Sequence, residues 1–202
     1  MALVVGVTGG IGTGKSTVLG MLAKLGAVTL SADDVAREVL SKGSAAYGEA
    51  VVTFGEGILA PDGQVDRAAL AKIIFDDSAA RQTLNDITHP PIIAEIERRI
   101  ESFRKGPPTV GAVLAVEIPL LVECGMEGAV DQVLLVAAEQ ETQLGRLIDR
   151  SKITDEEAFR RIEAQMPIEC KLSRADRVIW NDGTLESLEE SVRRYWDQIH
   201  LP

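Results

Sequence analysis

The stretch GGIGTGKST (residues 9–17) follows directly on the apolar run LVVGVT (Leu3–Thr8). It contains the G-x-x-x-x-G-K-[ST] pattern of a phosphate-binding loop, at Gly9, Gly14, Lys15 and Ser16. Glycines let several backbone N–H groups approach one phosphate, and a helix that begins at Lys15 adds positive potential. We therefore expect a strand–loop–helix unit that binds a nucleoside triphosphate, and we call residues 9–17 the P-loop.

The P-loop residues have separate predicted roles. Lys15 is expected to reach the β- and γ-phosphates, and the Ser16 hydroxyl is placed to ligate Mg²⁺. We expect ATP contacts along the whole loop, at Gly9, Gly10, Ile11, Gly12, Thr13, Gly14, Lys15, Ser16 and Thr17.

An acid at the end of another strand is the second expected metal ligand. VLAVE (Val113–Glu117) has four apolar residues before Glu117, which could hold Mg²⁺ through a water molecule. The alternative is an acid at a strand end that faces solvent. Beside a P-loop, we favour the metal role.

The composition of the chain limits the classes of function. Its 202 residues are 46% hydrophobic and 26% charged, which fits one domain with room for an inserted subdomain. With 21 Lys and Arg against 31 Asp and Glu, the net charge is −10, so no nucleic-acid partner is expected. No run approaches the ~20 apolar residues that span a bilayer. Cys124 and Cys170 are predicted to be free thiols, as in a reducing compartment. Together with the short apolar runs, this predicts a cytoplasmic protein without a membrane partner.

Five short, nearly continuous apolar runs predict strands that are buried on both faces of a parallel sheet. They are residues 3–8, 27–30, 112–117, 132–137 and 177–180. Helical patterns lie between them, beginning at residues 15–25. Alternating strands and helices predict an α/β fold with a five-stranded parallel sheet and helices on both faces.

A long interval between the second and third strands is predicted to be helical. Ser31, Asp66 and Ser78 resemble successive N-caps. Pro90 and Pro91 should end or kink the last helix near His89. A break is expected at Gly106, Pro107 and Pro108. We interpret about 33–106 as a helical insertion over the carboxyl ends of the strands, and 1–32 with 107–202 as the nucleotide-binding core.

Two acids follow the second strand. A phosphotransferase needs an acid near the γ-phosphate to orient or deprotonate the acceptor hydroxyl. Asp33 and Asp34 in LSADDVAR could instead cap a helix, since Ser31 and Asp34 resemble a capping box. Because the second strand should neighbour the P-loop strand, we predict a catalytic role for Asp33.

A basic cluster in this acidic chain predicts a lid at about 140–175. The cluster comprises Arg146, Arg150, Lys152, Arg160 and Arg161. Arg146 and Arg150 are four residues apart and share a helix face. Thr154 and Glu157 form a capping box that starts a second helix. A solvated basic surface remains the alternative.

Seven segments, in order, resemble the dephospho-CoA kinase family over nearly the whole chain. They are GGIGTGKST, SADDVAR, HP at residues 89–90, EIPLLVE at 117–123, ETQLGRLIDR, RIEAQ and IWNDG. The resemblance implies a P-loop kinase fold with an inserted helical CoA domain and a helical lid. It also implies phosphorylation of the ribose 3′-hydroxyl of dephospho-CoA, the last step of coenzyme A synthesis. ATP and dephospho-CoA would be its substrates, with Mg²⁺ as cofactor.

The same resemblance implies roles for single residues. Asp33 looks like the base, while Arg146 is similar to the lid arginine on the transferring phosphate, so the implied catalytic set is Asp33, Lys15 and Arg146. Arg150 would lie near ATP, and Asn181 near the adenine. The implied acceptor site comprises Thr8, Asp33, Arg37, His89, Pro119 and Leu120. Where the family usually reads DADxxAR, Ser31 replaces the first acid; Asp33 stays in register, and Asp34 keeps the capping role.

Two other functions stay open on the residues alone. A P-loop kinase acting on a nucleoside or a simple metabolite is the nearest alternative, although the long insertion favours a larger acceptor. A regulatory nucleotide switch is the other, although no N-K-x-D tetrapeptide occurs. The sequence leaves the oligomeric state open.

Overall fold

The structure is a computed structural model that describes residues 2–106 and 111–200. In these residues the strands are β1 (Leu3–Thr8), β2 (Val28–Ser31), β3 (Val113–Glu117), β4 (Gln132–Ala137) and β5 (Arg177–Trp180). The α-helices are α1 (Lys15–Leu25), α2 (Ala32–Val39), α3 (Ala45–Phe54), α4 (Arg67–Asp76), α5 (Ser78–Arg104), α6 (Gln140–Ser151), α7 (Asp155–Glu163), α8 (Ile168–Leu172) and α9 (Leu185–Ile199). Two 3-10 helices span Glu56–Ile58 and Met126–Ala129. Pro107 and Pro108 of the expected break lie outside the described residues.

All strand pairs are parallel, and the sheet order is β2-β3-β1-β4-β5. This confirms the predicted five-stranded α/β fold. The expectation that β2 neighbours β1 was wrong, because β3 lies between them. Every residue of β3 is buried, whereas β2 has no buried residue and Val28 is 54% exposed. The fully apolar strand therefore occupies the interior of the sheet, and β2 forms an edge.

Helices α1 and α9 cover one face of the sheet. Val18 and Leu22 of α1 pack with Leu188 and Val192 of α9 in one buried cluster. The strands contribute alternate residues to this cluster, as the period of two requires: Val5, Val7, Val113, Ala115, Leu134, Val136 and Ile179.

The segment that follows β3 covers the other face. Gly6 points away from the α1–α9 cluster, and a Cβ on Gly6 would lie 2.4 Å from Leu121 Cδ1 and 3.2 Å from Val130 Cγ1. Both of those side chains are buried. Glycine therefore allows the close approach of this segment to β1.

The chain divides into two compact units. One comprises the described residues of Met1–Ser31 and Phe103–Pro202, with the whole sheet, and the other comprises Ala32–Ser102. The second unit has its own apolar cluster of Ala50, Ile58, Leu70 and Leu84. None of the described helices is long and apolar enough to cross a membrane.

The helix starts in the second unit agree with the sequence in part. The carboxylate of Asp66 accepts hydrogen bonds from the N–H groups of Ala68 and Ala69, as an N-cap should. The cap expected at Ser78 was wrong by one residue. Asp77 accepts from the N–H groups of Ala79 and Ala80, so Ser78 is already helical.

The paired prolines do not end α5, which runs from Ser78 to Arg104 with Pro90 and Pro91 inside it. A proline removes one helical hydrogen bond but leaves the apolar face of the helix intact. That face is buried on both sides of the prolines, at Leu84, Ile87, Thr88, Ile96 and Ile100. Packing of this face therefore outweighs the local cost of the prolines.

A charge network joins α5 to α2. The Glu95 carboxylate accepts hydrogen bonds from Arg98 and Arg99, each at 2.7 Å, and Arg99 also pairs with Glu38. The hydrogen bonds from Arg98 and then Arg99 hold the pKa of Glu95 at about 2, below its usual 4.5. Since the pKa is lowered in the folded state, the stabilisation is complete above pH 4.5 and is lost as the pH falls towards 2.

We predict that Glu95→Gln removes this acid-sensitive part of the stability. Above pH 4.5 the variant should have a lower melting temperature than the wild type, and the difference should shrink between pH 4.5 and 2. Glu97→Gln is the control, since Glu97 is exposed on the same helix and has no ion pair among the described residues. Melting curves from pH 7 to 2 would contradict the prediction if both variants differed from the wild type by equal amounts at every pH.

Candidate active site

The P-loop wraps around its own lysine at the junction of β1 and α1. Lys15 Nζ donates to the carbonyl oxygen of Gly10 at 2.8 Å, and the Thr13 hydroxyl donates to the same oxygen at 2.9 Å. Gly9, Gly12 and Gly14 have φ of 152°, 77° and 95°, which L side chains rarely adopt. The loop therefore presents the first turn of α1 and the lysine to one point, as phosphate binding requires.

Gly14 is also where the chain after β5 meets the P-loop. Asn181 is 6% exposed, and its Nδ2 donates to the carbonyl oxygen of Thr13 at 2.8 Å. A Cβ on Gly14 would lie 2.3 Å from that Nδ2. Asn181 thus holds the P-loop from the side, and only glycine leaves room for it.

We predict that Gly14→Ala weakens nucleotide binding and stability together. The forced backbone conformation costs about 1–3 kcal/mol, and the displaced Asn181 loses its bond to Thr13. Gly20→Ala in α1 is the control, because a Cβ there meets nothing within 4 Å and should stabilise the helix by about 0.8–1 kcal/mol. Thermal unfolding with and without ATP measures both effects, and an unchanged ATP affinity in folded Gly14→Ala would contradict the first.

The two expected metal ligands are brought together. The Ser16 hydroxyl at the start of α1 donates to Glu117 Oε1 at 2.9 Å, and Glu117 ends β3 with only 7% exposure. Glu117 is in register with Val7 of β1 and with Ser31 of β2. In the part of the chain that the structure describes, no cluster of three or more His, Cys, Asp or Glu could hold a metal. A few hard oxygen ligands that leave other positions to phosphates and water suit Mg²⁺.

Asp33 lies two residues beyond Ser31, in the first turn of α2, and is exposed. It belongs to the second unit, as do Arg37 and His89, the two other residues of this unit that were expected in the acceptor site. Asp34 forms an ion pair with Arg37 one turn later. The second strand was predicted to end at residue 30, but β2 includes Ser31. Helix α2 begins at the next residue, Ala32.

The arginines of the predicted lid lie on two helices. Arg146 of α6 donates towards the carbonyl oxygen of Gly12 and towards Asn181 Oδ1, each at 3.4 Å, whereas Arg150 is exposed. Thr154 caps α7 by accepting from the N–H of Glu157 at 3.2 Å, as the capping box predicted. On α7, Arg161 pairs with Glu157 at 2.6 Å. Arg146 is therefore the arginine of this group that the structure brings to the P-loop.

A cavity of about 260 Å³ opens beside the P-loop. It is lined by Gly14, Thr17, Arg146, Asn181, Gly183, Leu185 and Leu188. This lining combines a cation, an amide and two leucines next to the phosphate-binding backbone. Such a mixture of apolar surface and a few polar groups suits a nucleotide base.

The turn after β3 is tied to the end of β1. Thr8 is fully buried, and its hydroxyl donates to the carbonyl oxygen of Pro119 at 3.2 Å. Leu120, the next residue, is 37% exposed. Thr8 therefore contacts the turn and offers no surface to a ligand here, while Leu120 does.

Sequence reasoning missed three side chains of this region. Gln165 Oε1 accepts from the N–H of Ile11 at 2.7 Å, which ties the segment after α7 to the P-loop. Lys171 of α8 is 1% exposed and pairs with Glu123 at 2.6 Å. Both Gln165 and Glu123 lie inside segments that carry the family resemblance, RIEAQ and EIPLLVE. The burial of Lys171 has no signal in the sequence, since a lysine is usually exposed.

This chain is similar to several known proteins. The family model described as dephospho-CoA kinase matches residues 3–187. A dephospho-CoA kinase of Moorella thermoacetica is 47% identical over 196 residues, covering 97% of this chain and 92% of the relative. A solved Thermus thermophilus structure has a TM-score of 0.77 and 34% identity, covering 98% and 97% of the two chains. The dephospho-CoA kinase structure of Campylobacter jejuni has a TM-score of 0.73 and 28% identity, covering 98% of each.

Proposed function

The chain belongs to the dephospho-CoA kinase family, and is therefore a phosphotransferase of coenzyme A biosynthesis; from this membership we propose the roles of its residues. The γ-phosphoryl group of ATP passes to the ribose 3′-hydroxyl of dephospho-CoA. The observation that carries the donor half is the 2.9 Å contact between Ser16 and Glu117 beside the P-loop lysine. The acceptor half rests on the family.

ATP is held by the P-loop with its base in the adjoining cavity. Backbone N–H groups of residues 12–16 and the start of α1 face the phosphates. The base lies against Asn181, Leu185 and Leu188, and Arg150 lies near the nucleotide from the next turn of α6. Asn181 keeps this wall in place through its bond to Thr13.

Ser16 and Glu117 are the residues that would hold Mg²⁺, Glu117 by way of a water molecule. When bound, the ion would supply positive charge that offsets the charge of the phosphates. The hydroxyl-to-carboxylate hydrogen bond in the structure keeps both oxygens facing the same point.

Three residues of this chain handle the transfer itself. Asp33 accepts the proton of the ribose 3′-hydroxyl, so the oxygen can attack the γ-phosphorus as the bond to ADP breaks. Lys15 and Arg146 stabilise the charge on the transferring phosphoryl oxygens. Support for Asp33 is its position in the chain, two residues after the strand end that pairs in register with Glu117.

The resemblance to the family assigns residues of each unit to the acceptor. In the second unit these are Arg37 and His89 of residues 33–106, and in the first unit Pro119 with Leu120 offers a surface to dephospho-CoA. Thr8 supports that surface from behind through its bond to Pro119. The 140–175 lid excludes water, and the enzyme acts in the cytoplasm, where its two free cysteines would remain reduced.

An acceptor panel with labelled ATP tests this proposal. Dephospho-CoA, adenosine, another nucleoside and a simple metabolite alcohol are each incubated with enzyme, Mg²⁺ and ATP, and the labelled products are separated. We expect transfer to dephospho-CoA above all other acceptors. Transfer to a nucleoside but not to dephospho-CoA, or hydrolysis without any labelled acceptor, would contradict it.

A further inference from the structure

A buried lysine contacts the turn that follows β3. Lys171 Nζ lies 2.6 Å from Glu123 Oε1 and 3.4 Å from the carbonyl oxygen of Pro119. The lysine is 1% exposed, and both oxygens of Glu123 are shielded from solvent. Neither oxygen of Glu123 has a hydrogen-bond partner among the described residues, so the carboxylate depends on its ion pair with Lys171. A buried ammonium requires such a partner, because desolvating an unpaired charge is costly.

The carbonyl of Pro119 differs from its neighbours in the turn. The carbonyl oxygens of Ile118 and Leu120 accept from backbone N–H groups within the turn, at 3.2 and 2.9 Å. Pro119 O instead accepts from two side chains, the Thr8 hydroxyl and the Lys171 ammonium. Thr8 belongs to the strand that leads into the P-loop, and Lys171 belongs to α8.

We propose that Lys171 is a positioning residue for the acceptor: by holding the Pro119 carbonyl, it fixes the exposed Leu120 surface against which dephospho-CoA binds. This inference rests on the proposed function, which assigns that turn to the acceptor. Glu123 has an indirect part, since it neutralises the ammonium and fixes the place of Nζ. A methionine would fill the same space without donating a hydrogen bond.

The segment that carries Lys171 also provides a comparison. Six residues earlier, Gln165 contacts the P-loop through Ile11 at 2.7 Å, on the ATP side. We therefore expect Gln165 to affect the binding of ATP and Lys171 to affect the binding of dephospho-CoA, although both lie between α7 and the end of α8. If the segment had only a structural role, replacing either residue would change the KM values for both substrates alike.

The test uses a neutral replacement of the whole pair. Lys171→Met alone leaves a buried unpaired carboxylate and could unfold the protein, so the informative variant is Lys171→Met with Glu123→Gln. Because neutral replacement of a buried ion pair often preserves stability, we expect a Tm within about 4 °C of the wild type. We expect the KM for dephospho-CoA to rise about tenfold, with the KM for ATP changed less than about twofold.

Two further variants sharpen the comparison. Gln165→Leu should raise the KM for ATP more than that for dephospho-CoA, which reverses the pattern. Glu169→Gln should change neither constant, because Glu169 is exposed on the same helix as Lys171.

The outcomes separate this inference from the proposed function. An unchanged KM for dephospho-CoA in the folded double variant would overturn the positioning role, and so would equal increases in both KM values. If the wild type itself failed to phosphorylate dephospho-CoA, the proposed function would fall and the inference with it. That result appears in the wild-type assay, before any variant is compared.

Discussion

We expect Asp33→Asn to lower kcat for dephospho-CoA phosphorylation by about 10²–10⁴-fold, the range of general-base catalysis. Asparagine has nearly the shape of aspartate but cannot accept the proton of the 3′-hydroxyl. Asp33 is exposed in the first turn of α2, so its replacement should not disturb a core. ATP affinity should stay unchanged, because the P-loop contacts do not involve this carboxylate. Single-turnover kinetics and ATP titration measure the two quantities separately.

The neighbouring acid supplies the matched control. Asp34 is also exposed in the first turn of α2, and its carboxylate pairs with Arg37. Asp34→Asn should keep kcat within about threefold of the wild type, since exposed ion pairs contribute little. Near-normal turnover in Asp33→Asn, or equal losses of kcat in both variants, would refute the base assignment.

Lys15→Met should lower kcat/KM for ATP by about 10²–10³-fold, as expected when a charge that stabilises the transferring phosphoryl group is removed. The methionine retains most of the side-chain volume but supplies neither the charge nor the hydrogen bond to Gly10 at 2.8 Å. Steady-state kinetics with varied ATP gives the loss. The melting temperature without nucleotide should change little, while its increase on adding ATP should shrink.

Lys24→Met is the control for Lys15, because Lys24 is an exposed lysine in the last turn of the same helix. It should leave kcat/KM within about twofold of the wild type, since an exposed lysine contributes little. Equal losses in both variants would show that the effect comes from the net charge of α1 and would contradict the role of Lys15.

Strand positions were predictable because buried parallel strands have continuous apolar runs. β1, β4 and β5 have the predicted limits, β2 begins and ends one residue late, and β3 begins one residue late. Strand order was not predictable in the same way. The position of β3 between β2 and β1 depends on how completely each strand is buried, which is a property of the assembled sheet.

Local rules also failed where tertiary packing opposes them. The prolines at 90 and 91 predict an end or a kink of the helix; the end does not occur, because the apolar face of α5 is buried on both sides of them. The opposite holds at Thr154, where an exposed helix start follows its local capping signal.

The proximity of Ser16 and Glu117 was predictable from spacing, since a P-loop serine and an acid at a strand end are expected to lie together. The supporting side chains were not. Lys171 and Gln165 contact a backbone carbonyl and a backbone N–H, respectively, and such partners leave no residue-type signature. These contacts are visible only in the three-dimensional structure.

The central claim is that ATP phosphorylates the ribose 3′-hydroxyl of dephospho-CoA. It is tested most directly by measuring ADP and product together, with the mass and phosphate position of the product determined by mass spectrometry and ³¹P NMR. We predict one ADP per product, a product with the mass of coenzyme A and a new 3′-phosphate resonance, and little ADP without the acceptor. ADP formation that is independent of dephospho-CoA, or a phosphate at another position, would contradict the account.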